Sequence, residues 1–273
     1  MDTYIMPPKR VRVAMNRPLY DQLVEYYELL EGRDWEAEVD LLAFILQGHR
    51  CGSVVDLGCG TGLHVRALIS RGFTALGVDI SKRNIEHAKR RARQEGIRPS
   101  FKVASYYKFQ PQKAFDAAIC LNWSVPVKNS ELARFLDNTH AFLRPKGILI
   151  FDYERASQIV HGDLGRAITE SFNLNNEVIV RSSVGSLKSN VLFSRDVYLI
   201  YPISSNWSAP TERKRYHLST RLDVKVYHDT SCVRFFSIPE IRKVSEKSGF
   251  KMISNFVLSR KKYMRNYAVL QRD

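Results

Sequence analysis

The chain has 273 residues, of which 44% are hydrophobic and 26% charged, with a formal net charge of +14. That size suits one α/β domain, or one domain with a sizeable insertion, and the apolar share is ample for a core. No apolar stretch approaches the ~20 residues of a membrane helix, no apolar h-region follows the basic N-terminus, and the four scattered cysteines form neither a disulfide framework nor a metal motif. A cytoplasmic enzyme is expected, with no membrane partner.

Residues 1–17 read as a basic, irregular arm. Over 18–46, apolar residues recur at helical spacing: Leu19, Leu23, Tyr26, Tyr27 and Leu30, then Trp35, Val39, Leu42, Ile45 and Leu46, with Gly32 dividing the run into two helices. Val54-Val55-Asp56-Leu57 is an apolar run that stops at Gly58-Cys59-Gly60-Thr61-Gly62, and residues 63–69 continue as a helix. A buried strand, a glycine turn and a helix start form a nucleotide-type site, because the first N–H groups of the helix point into the turn. The loop lacks the Gly-Lys-Ser/Thr of a P-loop, and Leu63 stands where a dinucleotide fingerprint needs glycine. Residues 75–78 form a second strand ending in Asp79, a carboxylate suited to accept hydrogen bonds from both hydroxyls of a ribose.

Ser81 caps the next helix, which keeps Ile85, Ala88 and Ala92 inward and ends at Gly96. Strands follow at 100–103 and 115–121. Ser130 opens a helix with Leu132, Phe135, Leu136, Thr139, Phe142 and Leu143 inward, Arg144-Pro145-Lys146-Gly147 reads as a turn, and 148–152 as the fifth strand. Single helices between strands imply parallel crossovers and a sheet buried on both faces. From 177 to 236 the rhythm changes to β-type runs at 178–184, 191–201, 216–227 and 233–236, which suggest an antiparallel sheet. Ser237-Ile238-Pro239-Glu240 is a capping box whose helix ends at Gly249, and two β runs near 251–258 and 267–270 close the chain.

The G-x-G-x-G spacing behind Asp56, the acid Asp79 one strand later and the Leu143-Arg144-Pro145-Lys146-Gly147 turn resemble the class I S-adenosylmethionine-dependent methyltransferases. The resemblance spans roughly 20–155 and the tail from Ser237. It implies an α/β fold, a Rossmann-like, mostly parallel seven-stranded sheet with helices on both faces, plus a small antiparallel β insertion. The implied organisation is an arm and cap helices over 1–47, a cofactor-binding core over 48–155, a β-rich lid over 156–235, and a helix and strands over 236–273 that complete the core.

The same resemblance implies S-adenosyl-L-methionine as cofactor, with no metal. Backbone groups of Gly58, Cys59 and Gly60 would surround its methionine part, Asp56 would orient the loop or the amino group, and Thr61 and Gly62 begin the following helix. Asp79 would take the ribose and Ile80 the adenine. Tyr26 would close over the site, and Asn122 and Trp123 would line the methionine. The family's acid after strand three is absent: the chain reads Ala104-Ser105-Tyr106, leaving Ser105 as the acceptor there. The D/N-P-P-Y/F signature is also missing, which counts against DNA or protein-amide methylation.

Methyl transfer from a sulfonium is an in-line displacement needing alignment and desolvation, and a base only when the acceptor must lose a proton. No catalytic residue is therefore fixed by the motif. Candidates are Tyr153 at the C-terminal edge of strand five, His217 and His228 as bases in the insertion, and Arg234 for an acidic substrate group; His140 reads as a packed or surface helix histidine. The first reading is N- or O-methylation of a small-molecule acceptor beneath the lid. The alternative is RNA methylation, motivated by the net charge and by Trp207 and Tyr216 near Arg213-Lys214-Arg215. A third is a cofactor-binding partner subunit without its own catalysis. The lack of RNP1 or KH signatures ranks the small molecule first.

Overall fold

The computed structural model describes all residues except 1–17, 32–34, 123, 156, 158–162, 175, 203–224 and 261–262. In chain order it contains α1 (Tyr27–Glu31), α2 (Trp35–Gly48), β1 (Ser53–Leu57), α3 (Leu63–Ser70), β2 (Thr74–Asp79), α4 (Lys82–Gln94), β3 (Ser100–Val103), β4 (Phe115–Cys120), α5 (Asn129–Phe142) and β5 (Leu143–Tyr153). There follow β6 (Ala167–Leu174), β7 (Glu177–Lys188), β8 (Val191–Pro202), β9 (Lys225–Arg234), α6 (Ile238–Lys247), β10 (Phe250–Arg260) and β11 (Tyr263–Arg272).

Seven strands make the main sheet in the order β10-β11-β5-β4-β1-β2-β3. β1, β2, β3, β4 and β5 pair in parallel, and β11 lies antiparallel to both β5 and β10. Adjacent residues of β1 face opposite ways, as the pleat requires. Val54 packs with Leu42, Val65, Leu68, Ile119 and Ile150 beneath α2 and α3. Val55 packs with Leu149, Phe135, Leu136 and Ile241 beneath α5 and α6. This is the expected Rossmann-like sheet with both faces covered. From β1 the chain winds towards β3 on one side, and from β4 towards β5 on the other. The crevice therefore opens where β1 and β4 end, the usual ligand position of such sheets.

β6, β7, β8 and β9 form a separate four-stranded antiparallel sheet. Ile179, Tyr198 and Ile200 on its inner face pack against Leu19, Leu23, Tyr27 and Leu30. The N-terminal segment is thus held between the second sheet and the core. Leu19 N–H donates to Asp229 of β9 at 3.2 Å, while Ser81 Oγ donates to Tyr20 O at 3.2 Å and Arg83 pairs with Asp21 at 3.1 Å. At the other end, Glu154 bridges to Phe235 beside the C-terminal end of β5.

Three sequence expectations are corrected. The first cap helix is mostly two 3₁₀ turns, Pro18–Tyr20 and Val24–Tyr26, followed by the short α1. Tight turns place the closely spaced Leu19, Leu23 and Tyr27 on one packed face. Residues 144–147 belong to β5 rather than to a free turn: the pairing with β4 slips between Phe115 and Ala117, and Lys146 takes φ 63°. The strand β6 was not read from the sequence, because it is an edge strand, mostly exposed and without apolar alternation. The β run proposed for 216–227 lies largely outside the described residues.

Gly62 has φ 73°, and a Cβ there would meet the Phe101 ring at 2.6 Å. Gly72 has φ 91° with nothing within 4 Å. Gly62→Ala is expected to lose about 2–3 kcal/mol in a urea titration, and Gly72→Ala about 1 kcal/mol, since only the first adds a steric clash to backbone strain.

Candidate active site

The loop after β1 is built by backbone that ordinary residues avoid. Gly58 (φ 84°) and Gly60 (φ 51°) are both left-handed. Gly58 and Cys59 donate their N–H groups to Val78 O at 2.7 and 3.1 Å, which ties the loop to the end of β2. Asp79 completes the tie: its two carboxylate oxygens accept Gly60 N–H at 2.9 Å and Ser81 N–H at 2.7 Å. Burial raises the Asp79 pKa, against the lowering by these N–H donors and Asn84. A Cβ at Gly60 would meet nothing within 4 Å, so this loop face is open.

That open face belongs to a pocket lined by Tyr27, Trp35, Asp56, Gly58, Cys59, Gly60, Thr61, Leu63, His64, Leu121 and Asn122. Asp56 is 2% exposed, and its Oδ2 has no hydrogen-bond partner among the described residues. Burial pushes its carboxyl up to about 7; nearby His64 opposes the shift, while Asp79 and Glu38 add to it. Glu38, also buried, lies 3.2 Å from His64 Nε2 and accepts the Tyr267 hydroxyl. Asn122 adopts φ 62°, donates its backbone N–H to Asp152 at 3.1 Å, and leaves its buried Oδ1 unpartnered among the described residues. An unmet buried acceptor costs about 1–3 kcal/mol. Two such oxygens on one pocket, backed by Glu38 and Asp79, suit a cationic ligand that brings N–H donors.

The structure brings Asp56, Gly58, Cys59, Gly60, Thr61 and Asn122 together as the sequence suggested. Asp79 lies under the loop, and Ile80 next to it is 57% exposed. Gly62 serves the packing of Phe101 and Ala88. Tyr26 is not on the pocket: its hydroxyl donates to Glu177 of β7, and its neighbour Tyr27 takes that place. Ser105 accepts Tyr107 N–H at 3.3 Å, and Tyr106 donates to Ser124 O at 3.1 Å while packing edge-on to Phe135. Neither lines the pocket.

Among the catalytic candidates, Tyr153 is buried at the end of β5 and its hydroxyl accepts Arg155 Nη2–H at 3.1 Å. His228 is exposed on the face of β9 opposite Tyr227 and Asp229, away from the cap residues that pack on this sheet. Arg234 is consumed structurally: it donates to Val127 O and Asn129 Oδ1, pairs with Glu240 and lies over the Phe236 ring. Trp123 and His217 lie outside the described residues. His140 packs edge-on to Phe250. Burial raises the Cys59 and Cys120 thiols well above their ordinary range, so neither is a ready nucleophile.

Trp35, Glu38 and His64 were missed as site residues. Glu38 carried a legible signal, an acid at i+3 from Trp35 and i−4 from Leu42 on an otherwise apolar helix face. His64 is a first-turn residue of the helix that leaves the glycine loop.

Residues 54–147 match a family model described as a methyltransferase domain. This stretch of the chain, which holds the glycine loop and Asp79, is a methyltransferase domain. The chain is 28% identical over 233 residues to the glycine/sarcosine N-methyltransferase of Parasynechococcus marenigrum, covering 82% of this chain and 73% of that protein. It is 30% identical over 97 residues to the ubiquinone biosynthesis O-methyltransferase of Rickettsia felis, covering 36% of this chain but only 39% of that relative. The fold is shared with the sugar N-methyltransferase KedS8 from Streptoalloteichus sp. (TM-score 0.71, 19% identity, 98% of each chain). It is also shared with S-adenosylmethionine-bound CalS10, an amino pentose methyltransferase from Micromonospora echinaspora (TM-score 0.69, 18% identity, 92% of this chain and 97% of that one). S-adenosylmethionine is the ligand bound in CalS10, and the pocket here suits that group, since its ammonium would bring the N–H donors that Asp56 Oδ2 and Asn122 Oδ1 lack among the described residues. No helix among the described residues is long and apolar enough to cross a membrane.

The raised carboxyl of Asp56 has a consequence for the ligand-free protein. The folded state holds its proton up to about pH 7, whereas the unfolded chain releases it in the ordinary carboxylate range. Stability from this group is full below that range and is lost as pH rises through about 7. Asp56→Asn should flatten this part of the stability-against-pH curve in ligand-free denaturant titrations; an unchanged slope would contradict the assignment.

Proposed function

We propose that this chain transfers the methyl group of S-adenosylmethionine to an N or O atom of a small-molecule acceptor held between the loop pocket and the second sheet. The observation that carries the acceptor class is that the second sheet packs on the cap segment whose Tyr27 lines the pocket. The second sheet reaches the C-terminal edge of the core both through the N-terminal segment and through Arg234. An acceptor lodged there is surrounded and dehydrated, which suits a small molecule better than a polymer. The glycine/sarcosine N-methyltransferase match supports this reading, because it extends over 82% of the chain and not over the loop region alone.

In this reading Asp56 and Asn122 hold the ammonium of the cofactor, Asp79 its ribose hydroxyls and Ile80 its adenine, while Tyr27 and Trp35 wall the pocket. When bound, the sulfonium supplies an electrophilic methyl and a neutral leaving group. The protein contributes position and water exclusion. Of the exposed basic residues, Arg83, Arg90 and Arg144 pair with carboxylates, and the Arg213-Lys214-Arg215 cluster with Trp207 and Tyr216 that motivated the RNA reading lies outside the described residues.

Cofactor titration by calorimetry tests the pocket. A cation that needs Asp56 ionised must displace its proton below about pH 7. The Kd for S-adenosylmethionine should then rise by up to about tenfold per pH unit below that value and level off above it. Asp56→Asn should remove the slope, and Asp79→Ala should weaken binding by about 1.5–3 kcal/mol while the fold persists.

Radiolabelled methyl transfer tests the acceptor. Label should enter a fraction of small amines, phenols or hydroxy compounds, with turnover nearly independent of salt. Label entering fractionated RNA instead, with affinity that falls by orders of magnitude as salt rises, would overturn the small-molecule reading.

A further inference from the structure

We propose that Arg265, on the C-terminal hairpin, is a positioning residue for the cofactor pocket, acting through Asp152 on the left-handed turn at Asn122. The inference rests on the methyltransferase reading of that pocket and adds a residue outside every motif of the core.

The chain of contacts is short. Arg265 on β11 forms an ion pair with Asp152 on β5, and both are buried. The same oxygen, Asp152 Oδ2, accepts the backbone N–H of Asn122 at 3.1 Å. Asn122 immediately follows Leu121, just past the end of β4, and holds φ 62°, a conformation that an asparagine adopts at a cost without external support. Its Oδ1 is buried and unpartnered among the described residues, and the residue lines the pocket. The carboxamide is therefore aimed by a turn, the turn is pinned by a carboxylate, and the carboxylate is fixed by a guanidinium on the adjacent strand. A planar guanidinium orients a carboxylate more strictly than an ammonium does, so its loss would loosen the hold of Asp152 on the Asn122 amide.

The remainder of β11 supports this role. Asn266 Nδ2 donates to Tyr153 O at 3.2 Å, and Tyr267 donates to Glu38, which holds His64 of the pocket wall. The hairpin thus acts on the pocket from behind rather than lining it.

The test uses two readouts on the full-length protein. The first needs no ligand. Hydrogen exchange of the assigned Asn122 amide should be protected in the wild type, at least about tenfold faster in Arg265→Met, and largely restored in Arg265→Lys. The second is S-adenosylmethionine affinity by calorimetry. Arg265→Met should raise Kd about tenfold, but change it less than about twofold in an Asn122→Gly background, where the turn is unstrained and the carboxamide is gone. If Arg265→Met does not fold by circular dichroism, the charge-neutral pair Arg265→Met with Asp152→Asn replaces it in both measurements. Unchanged Asn122 protection, or an equal loss of affinity in both backgrounds, would overturn the positioning role. A wild-type protein that protects the amide yet does not bind S-adenosylmethionine would overturn the pocket reading instead, so the two failures are separable.

Discussion

Asp79 accepts backbone N–H groups from Gly60 and Ser81 with its two oxygens, and most of the site depends on that pair of hydrogen bonds. They join the turn after β1 to the turn after β2. With that link made, Gly60 stays left-handed, the face of the loop remains open and α3 can begin at Leu63. Charge-assisted bonds to a carboxylate are roughly twice as strong as neutral ones, which suits a loop that has few side chains to pack. Asp79 would therefore serve both the loop and a ribose.

A second constraint is charge without water. Asp56, Glu38, Asp79 and Asp152 are all buried, with His64 beside Glu38 and Arg265 paired with Asp152. Arg265 compensates Asp152, and His64 lies against Glu38. Burial first, and then the charges of Asp79 and Glu38, raise the Asp56 carboxyl. A pocket of this kind is incomplete in electrostatic terms until a cation enters. It also couples ligand binding to a proton, because the carboxyl that would meet the cation is the one that gains a proton most easily.

The N-terminal segment has a comparable mechanical place. Thr61 Oγ1 donates to Glu28 at 2.8 Å, and Arg66 bridges Glu28, Glu95 and Thr61 O. The same segment packs its other side on Ile179, Tyr198 and Ile200. The second sheet and the glycine loop are thus both in contact with the same cap segment.

The local motifs were legible in the sequence because they depend on near-neighbour chemistry. Glycines at positive φ, an acid ending a strand, a Ser-x-x-Glu capping box with proline and the alternation of β and α all follow from spacing alone. These features determined the fold class, the cofactor loop and Asp79. What the tertiary structure decided involves pairs far apart in the chain. Glu38 meets Tyr267, and Asp152 meets Arg265 across a gap of 113 residues. Which of two adjacent tyrosines faces the pocket depended on a half-turn of 3₁₀ geometry that helical periodicity does not resolve. Arg234 read as a substrate ligand because its type suits one; only its neighbours Val127, Asn129 and Glu240 show that Nη1 and Nη2 are already engaged. Residue type and spacing reveal what a side chain can do, while burial and long-range pairing determine whether it remains available.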